Sequence, residues 1–326
     1  MLVLTRADVE ALLDLDALIE ALASAMADLS AGRASAPDRV AALVPEHEGF
    51  LAAMPGFLPS AQVLMSKLVS LFPHNAGTTL PTHQAVIAAF DPHTGAPAAL
   101  LDGTAITAIR TGACSALSAR LLARADASEL AILGTGVQAR AHARAMCRVR
   151  PIRRIRIAGR DPAKAALLAA ELSAQIDVDA VAVGSYRAAL DGADIACATT
   201  HSAEPVVRRE WLSPGVHITS VGYGGRELDD ATIVDALVCV ESRHAALAPF
   251  PAGSNDLLIP IRDGVITADH VHAELGELVA GAMPGRTTPA QITVYKSVGV
   301  AVQDAAAVGV VLAAAHQHGV GQHITL

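Results

Sequence analysis

Hydrophobic residues recur at different spacings in different parts of the 326-residue chain, and each spacing predicts an element. Over residues 5–31, apolar side chains return every three or four positions, which predicts one amphipathic helix. From Arg39 to about Asp91, short alternating segments are separated by Pro and Gly, a pattern typical of an antiparallel or mixed sheet. A further helix is expected from about Ile106 to Ala125.

After Glu129 the pattern changes to short apolar strands separated by helical segments, which predicts βαβ units and a parallel sheet. A long apolar helix is expected from about Thr287, returning to the first part of the chain. The fold class that follows is α/β, with a Rossmann-type doubly wound parallel sheet plus a second α+β domain. The strands are expected at Leu130–Leu133, Ile152–Ala158, Val178–Val183, Ile195–Ala198, His217–Val221 and Leu237–Val240.

Composition narrows the class of protein. Hydrophobic residues make up 52% of the chain and charged residues 17%, which is enough for a large core and argues against disorder. A net charge of -8 argues against a nucleic-acid or anionic-membrane partner. The four scattered cysteines form no C-x-x-C pair, so we expect no metal site and a reducing compartment. The acidic first helix does not resemble a signal peptide, and we expect a cytoplasmic protein.

A strand, a glycine-rich turn and a helix follow one another from Leu130, the order that a dinucleotide-binding fingerprint requires. Gly134 permits the tight turn, Gly136 lets the backbone approach a pyrophosphate, and Ala139 permits close helix–strand packing. The helix N-terminus offers free N–H groups and a partial positive charge to the phosphates. The predicted cofactor contacts here are Gly134, Thr135, Gly136, Val137, Gln138 and Ala139.

The end of the second strand bears on the choice between NAD and NADP. A carboxylate there binds the ribose 2′-hydroxyl, whereas an arginine accommodates a 2′-phosphate. The strand ends at Ala158 and is followed by Gly159, Arg160 and Asp161, so no acidic residue lies at its tip. Gly159 and Arg160 are therefore assigned to the cofactor, with NADPH favoured and NADH possible. The alternative is that Arg160 is a solvated loop residue and that Asp161 caps the next helix.

Three basic residues stand among apolar or small neighbours: Arg39, Lys67 and Arg110. Burying an isolated cation is costly, so these residues should face an anion or one another's counterions. The forked guanidinium of arginine matches a carboxylate well. Together they predict a site for a carboxylate-bearing substrate, unless each is an exposed charge at a strand edge.

A series of short motifs extends this interpretation along the chain. The motifs are Lys67-Leu68-Val69-Ser70, Phe72-Pro73-His74-Asn75, Ile106-Thr107-Ala108-Ile109-Arg110-Thr111-Gly112-Ala113, Gly134-Thr135-Gly136-Val137-Gln138-Ala139, Ala193-Asp194-Ile195, Arg226-Glu227-Leu228-Asp229 and Lys296-Ser297-Val298-Gly299. With this ordered set, the chain resembles the ornithine cyclodeaminase/mu-crystallin family over essentially its full length.

The resemblance implies roles for both domains. Residues 1–118 and 290–326 would hold the substrate and mediate formation of a homodimer, and residues 119–289 would bind NAD(P). Arg39, Lys67 and Arg110 would bind the substrate carboxylate. The remaining residues assigned to the cofactor are Thr111, Thr199, Ser297, Val298 and Gly299, the last three near the nicotinamide.

The loop after His217–Val221 separates members of the family. In cyclodeaminases this loop carries an aspartate shortly after the first glycine, and Gly224 falls near that position here. The difference favours a ketimine reductase, which would convert Δ1-pyrroline-2-carboxylate or Δ1-piperideine-2-carboxylate into L-proline or L-pipecolate. The alternatives are an ornithine cyclodeaminase, an alanine dehydrogenase-like enzyme, and a small-ligand-binding protein with little turnover.

Lys67 and His83 are the predicted catalytic residues. His83 is the candidate proton donor, because histidine titrates near neutral pH. A structural or surface histidine is the alternative reading of His83. Asp229 or Asp230 is expected to cap a helix, and Trp211 to pack in the core.

Overall fold

The computed structural model describes residues 1–249 and 251–325. The chain divides into two units, one made of Met1–Arg110 with the segment from Gly299 onward, the other of Thr111–Val298. The first division therefore falls inside a single helix, Gly103–Leu122. The sequence analysis had placed the divisions at 118/119 and 289/290.

The first unit is built on a seven-stranded mixed sheet, as the alternating segments predicted. The strands are β1 (Leu2–Leu4), β2 (Val40–Val44), β3 (Gly49–Leu58), β4 (Val63–Leu71), β5 (His83–Phe90), β6 (Pro97–Asp102) and β15 (Gln322–His323). In space they lie in the order β15-β1-β6-β5-β4-β3-β2, where β1 and β6 are parallel and the other neighbours antiparallel.

Two helices replace the single helix predicted over residues 5–31, so that prediction was wrong in one respect. They are α1 (Arg6–Leu12) and α2 (Leu15–Ser30). The break occurs because the Asp14 carboxylate accepts a hydrogen bond from the Ala17 N–H and starts a new helix. The helix Gly103–Leu122, here α3, matches the expected one and begins where Asp102 accepts from the Ala105 N–H.

The second unit contains the predicted parallel sheet. Its strands are β7 (Glu129–Leu133), β8 (Arg154–Ala158), β9 (Asp179–Ala182), β10 (Ile195–Ala198), β11 (His217–Ser220), β12 (Leu237–Val240), β13 (Val271–Glu274) and β14 (Thr293–Lys296). They lie in the order β13-β12-β14-β11-β10-β7-β8-β9, and every neighbouring pair is parallel. The order reverses between β7 and β10, which is the switch point of a doubly wound sheet.

Short helices connect these strands and bury small apolar side chains against the sheet. Within the described residues no helix has the length and apolar character needed to cross a membrane. The helices are α4 (Val137–Val149), α5 (Pro162–Gln175), α6 (Tyr186–Leu190), α7 (Asp230–Asp235), α8 (Arg243–Leu247), α9 (Asn255–Arg262) and α10 (Leu275–Val279). Asp229 caps α7 through the Thr232 N–H, as expected.

The C-terminal helix begins later than predicted. It is α11 (Ala301–His318), and the stretch Thr293–Lys296 that the sequence analysis had included in it is instead strand β14. Thr293, Val294 and Tyr295 suit a strand, and all three are fully buried between β11 and β12. Helix α11 packs against α2, β3 and β4 within the first unit, so its predicted return to that part of the chain is confirmed.

Candidate active site

The three predicted cations all lie in the first unit. Lys67 is in the middle of β4 and only 1% exposed, and Arg110 is on α3 and 5% exposed. Arg39 directly precedes β2 and is half-buried. Burial of Lys67 and Arg110 excludes the alternative that they are exposed charges at a strand edge.

One buried carboxylate, that of Asp304 on α11, pairs with two of these cations. Lys67 Nζ lies 2.7 Å from Asp304 Oδ2, and Arg110 Nε lies 3.1 Å from Asp304 Oδ1. Arg110 also donates through Nη1 to Gln303 Oε1 at 2.7 Å. We call Arg39, Lys67, Arg110, Gln303 and Asp304 the cation cluster; its charged members are three cations and one carboxylate.

Gly299 connects the third cation to this cluster. Arg39 Nη2 donates to the Gly299 carbonyl at 2.6 Å. An added Cβ on Gly299 would lie 3.1 Å from both terminal nitrogens of Arg110, and its φ of +74° is one that side chains rarely adopt. Glycine is therefore required here so that the backbone can approach the arginine.

Burial and the charges of the cation cluster shift the pKa values of Lys67 and Asp304. Burial, reinforced by the positive charges of Arg110 and Arg39, lowers the pKa of Lys67 from 10.5 to about 8, although Asp304 opposes the change. Burial alone would raise the pKa of Asp304, but Arg110 and Lys67 hold it below its usual value. Asp304 is thus an anion, and Lys67 can exchange a proton near physiological pH.

Asp304 is a site residue that sequence reasoning missed. Its partners are distant in the chain, with 237 positions between Asp304 and Lys67. The available signal was a Gln303-Asp304 pair inside an otherwise apolar helix, where a buried carboxylate needs a partner.

His83, the other predicted catalytic residue, starts β5 and pairs with Leu71. Lys67 pairs with Ile87 in the same register, so His83 and Lys67 are on one face of the sheet. They are separated by four residue positions, or about 13 Å along the strands. The structure thus places His83 outside the cation cluster.

The glycine loop of the second unit has the predicted form. Gly134 follows β7 with φ of +120°, and an added Cβ would lie 2.7 Å from Thr199 Oγ1. Thr199 follows β10 and donates its hydroxyl to the Leu133 carbonyl at 2.9 Å. The two predicted cofactor residues Gly134 and Thr199 therefore lie together at the switch point of the sheet.

The N-terminus of α4 has uncapped backbone N–H groups that suit the binding of an anion. Gly136 is its N-cap and makes no side-chain capping bond, whereas Asp161, Ser185, Asp229 and Ser254 cap α5, α6, α7 and α9 with their side chains. A Cβ added to Gly136 would meet nothing within 4 Å. Open space next to uncapped N–H groups fits the pyrophosphate of a dinucleotide.

Two further observations agree with that fit. Ala139 is fully buried, so α4 can pack closely on the sheet. By contrast, the buried Gln138 Oε1 atom has no hydrogen-bond partner in the described part of the chain, and as an acceptor it would not bind a phosphate oxygen. Thr135 packs over Gly159, where an added Cβ would lie 2.7 Å from Thr135 Cγ2.

At the tip of β8, Arg160 is exposed to solvent. Asp161 caps α5 by accepting from the Ala163 and Lys164 N–H groups at 2.9 and 3.3 Å. A solvent-exposed Arg160 and a capping Asp161 are both features that the alternative interpretation predicted. A role for Arg160 at a 2′-substituent of the cofactor stays a prediction.

Two more of the predicted cofactor residues, Ser297 and Val298, are held by a buried carboxylate of the second unit. Ser297 Oγ donates to Glu241 Oε1 at 2.5 Å, and the Val298 N–H donates to Glu241 Oε2 at 3.1 Å. Thr111 is buried on α3. Glu241 carries no role in the sequence analysis, although it follows the last residue of β12 as a fully buried acid.

The chain that carries these features is similar to known proteins over most of its length. The model of the ornithine cyclodeaminase/mu-crystallin family matches residues 1–319. The ketimine reductase mu-crystallin of Mus musculus is 36% identical over 293 residues, which is 88% of each chain.

Two solved structures are similar over nearly the whole chain. The Δ1-pyrroline-2-carboxylate reductase of Thermococcus litoralis, in complex with NADH and L-proline, is 40% identical with a TM-score of 0.95, covering 99% of this chain and all of that one. An archaeal alanine dehydrogenase dimer with bound NAD is 31% identical with a TM-score of 0.92, covering 100% of this chain and 99% of that one.

Proposed function

Because the chain belongs to the ornithine cyclodeaminase/mu-crystallin family, we propose that it is an NAD(P)H-dependent reductase of cyclic ketimines. Its substrates would be Δ1-pyrroline-2-carboxylate and Δ1-piperideine-2-carboxylate, reduced to L-proline and L-pipecolate. The observation that carries the proposal is the cation cluster, in which Lys67 and Arg110 share the single carboxylate of Asp304 and Arg39 donates to the nearby Gly299 carbonyl. The carboxylate of the substrate would balance the second of the two positive charges that share Asp304.

The guanidinium groups anchor the substrate. Arg110 is held by Asp304 through Nε and by Gln303 through Nη1, so its orientation is fixed before any ligand arrives. A fixed fork binds a carboxylate with little loss of side-chain entropy. Arg39, held by the Gly299 carbonyl, adds a second guanidinium.

The reduction forms one C–H and one N–H bond. NAD(P)H, when bound, supplies the hydride that adds to the C=N carbon. The π electrons of the C=N bond then stay on nitrogen, which must take up a proton. Lys67 is the proposed donor, because its pKa of about 8 lets the ammonium release a proton at neutral pH. Asp304 orients Lys67 Nζ from 2.7 Å.

NADPH is the proposed preferred cofactor, with NADH accepted. Support for NADPH comes from Arg160 at the tip of β8 and from the engagement of Asp161 in the cap of α5. The reductase of Thermococcus litoralis was solved with NADH, which supports acceptance of NADH.

Deamination is disfavoured by the loop after β11. Gly224 falls near the cyclodeaminase aspartate, and its φ of +76° suits glycine rather than a residue with a Cβ. Asn255 Nδ2 donates to the Gly224 carbonyl at 3.1 Å and fixes this conformation. An alanine dehydrogenase-like reaction on a linear imine would use the same cation cluster and is the second candidate.

The first unit is the proposed substrate-binding and dimerisation domain, and the second the NAD(P)-binding domain. One face of the seven-stranded sheet carries exposed apolar side chains, a surface suited to burial against a second copy. The alanine dehydrogenase relative forms a dimer. The exposed apolar residues of this sheet face are Val40, Leu51, Leu68 and Val86.

A cytoplasmic location is also proposed, and it is supported by the pattern of cysteines in the sequence.

The experiment follows oxidation of NADPH and of NADH with each cyclic imine, and ammonia release from ornithine. We expect imine-dependent oxidation with NADPH preferred, and no ammonia. Ammonia from ornithine without imine reduction would reject the proposal in favour of a cyclodeaminase. NADH preferred over NADPH would reject the role given to Arg160. Binding of cofactor without turnover of either imine would favour a ligand-binding protein.

A further inference from the structure

A buried group of charged residues lies in the second unit where its parallel strands end. Glu227, Asp256 and Lys296 are each at most 1% exposed. They surround Thr200, which comes two residues after β10, and Gly222, which comes two residues after β11. Glu227, Asp256 and Lys296 have no role in the proposed reaction as described above.

Glu227 is the centre of this group because its carboxylate accepts four hydrogen bonds. Its Oε1 accepts from the Thr200 N–H at 2.6 Å and from the Thr200 hydroxyl at 2.7 Å. Its Oε2 accepts from the Ser220 hydroxyl at 2.8 Å and from the Gly222 N–H at 2.7 Å. All four partners donate to the carboxylate oxygens, and one side chain therefore ties the ends of two neighbouring strands together.

Lys296 supports Glu227 from the end of β14. Its ammonium donates to Ser220 Oγ at 2.9 Å and to the Gly222 carbonyl at 3.0 Å, and lies 2.8 Å from Asp256 Oδ2 as an ion pair. Gly222 is therefore held through both its N–H and its carbonyl. An added Cβ on Gly222 would lie 2.5 Å from the Glu227 carboxyl carbon, so only glycine fits there.

Asp256 fixes the backbone that carries Glu227. Its Oδ1 accepts from the Glu227 and Leu228 N–H groups at 2.8 and 3.0 Å. The side chain of Glu227 consequently reaches Thr200 and Gly222 from a rigid base. Because both oxygens of the buried Glu227 carboxylate have partners, the loops that carry Thr200 and Gly222 are held in one conformation rather than several.

The position of these loops in the sheet indicates what they contact. A dinucleotide lies across the carboxyl ends of a doubly wound sheet, with one mononucleotide on each side of the switch point. Arg160, which follows β8, marks the adenosine side. Strands β10 and β11 lie on the other side of β7, which is the side of the nicotinamide half.

We propose that Glu227 is a positioning residue that holds Thr200 and Gly222 in the geometry that receives the nicotinamide half of the cofactor. The inference rests on the proposed function, since it presumes that the second unit binds NAD(P)H. Glu227 acts through the two residues it holds and takes no part in the transfer itself.

Asp194 is a matched control, because it lies at the amino ends of strands in the same sheet. Asp194 accepts from the Ser128 and Glu129 N–H groups at 2.8 and 3.0 Å and from Arg124 Nη2 at 2.7 Å. It ties the amino ends of β7 and β10 together, as Glu227 ties the carboxyl ends of β10 and β11. Cofactors bind at the carboxyl ends only, so a purely structural role and a positioning role can be separated.

The test measures dissociation constants of Glu227→Gln and Asp194→Asn by calorimetry, with NADPH and with adenosine 2′,5′-bisphosphate, which lacks the nicotinamide half. The amide of Glu227→Gln would point an NH2 group at a backbone N–H. We expect NADPH to bind about tenfold more weakly or worse, the scale of one hydrogen bond to a charged group. The bisphosphate should bind to Glu227→Gln as to the unmodified chain, and Asp194→Asn should leave both affinities unchanged.

Equal weakening of both ligands by Glu227→Gln, or no weakening of either, would overturn the positioning role. Should Glu227→Gln fail to fold, Thr200→Val removes one of the four donors with little change of shape, and the same selective loss is expected at a smaller size. Thr200→Val with unchanged NADPH affinity would then overturn the inference. Failure of the unmodified chain to bind NADPH would instead reject the proposed function.

Discussion

Lys67 and Arg110 share the carboxylate of Asp304, and this sharing decides how the site responds to pH and substitution. A buried cation without a partner is strongly destabilising, whereas two cations on one anion leave room for a further negative charge. The substrate carboxylate is the proposed partner that completes the balance. The chemistry of the site is therefore set by side chains from β4, α3 and α11 rather than by any single motif.

The pKa of Lys67 predicts a fall in kcat/KM as pH rises through about 8. Above that pH Lys67 is neutral, so it can neither donate a proton nor help hold the carboxylate. Asp304→Asn removes the charge that raises the pKa of Lys67, so the fall should move to lower pH by about one unit or more. The measurement is the pH profile of kcat/KM for the cyclic imine.

The titration of the imine itself is common to all variants and cannot cause such a displacement. Asp28→Asn, which removes a carboxylate paired with Arg33 in the same unit, is the control and should leave the profile in place. A profile that Asp304→Asn does not displace would show that another group controls the alkaline limb.

Arg110 should act chiefly through substrate binding. Arg110→Lys keeps the charge but loses the forked contact, so KM for the imine should rise about tenfold while kcat changes less. Steady-state kinetics measure both constants. Arg33→Lys, an exposed arginine of the same unit, is the control. An unchanged KM in Arg110→Lys would remove Arg110 from the anchor.

Among the elements, α3, α4 and the strands of the second unit are joined by two buried histidines. His142 on α4 contacts the Gln138 carbonyl at 2.8 Å and Ser115 Oγ at 2.9 Å. His217 on β11 contacts Ser118 Oγ at 3.1 Å and Thr293 Oγ1 at 2.9 Å. Burial lowers the pKa of His142 to about 4 and that of His217 to about 3, so both stay neutral at physiological pH.

This burial predicts that the free energy of unfolding decreases as pH falls below about 6.5. Unfolded histidines take up protons there while the folded ones do not, so acid favours the unfolded chain until the folded pKa is reached. At pH 5 each histidine should contribute a loss of about 2 kcal/mol relative to pH 7. Denaturant unfolding at the two pH values measures the difference.

His142→Gln should reduce the difference in the free energy of unfolding between pH 7 and pH 5 by the amount that His142 contributes. The substitution also destabilises the protein at pH 7. The exposed His93 provides the control, and His93→Gln should leave the pH dependence unchanged. If His142→Gln kept the full pH dependence, His142 would have to titrate normally in the folded protein.

At the scale of the whole molecule, local patterns predicted the parallel sheet, the glycine loop and the mixed sheet, because each depends on neighbouring residues. Lys67 and Arg110 were found as cations in apolar surroundings. Asp304 was not, because its contacts depend on how α11 packs. Glu227 and Lys296 occurred in the motifs, but their roles depend on strand ends that only the fold brings together.

The homodimer is a further proposal at this scale. Leu68 lies on the open face of the seven-stranded sheet, and Leu68→Glu would bury a charge in the proposed interface. Sedimentation should show the unmodified chain as a dimer and the variant as a monomer. Leu167 on α5 is exposed in the other unit, and Leu167→Glu should remain a dimer. A Leu68→Glu variant that stays dimeric would place the interface elsewhere.

The central claim is that this chain moves a hydride to the C=N carbon of a cyclic imino acid held by its carboxylate. Transfer of deuterium tests it most directly. The protein is incubated with Δ1-pyrroline-2-carboxylate and NADPH carrying deuterium at the transferable position of nicotinamide C4, and the product is examined by mass spectrometry and NMR. The prediction is L-proline with one deuterium on Cα. Proline without deuterium at that carbon, or no proline at all, would contradict it.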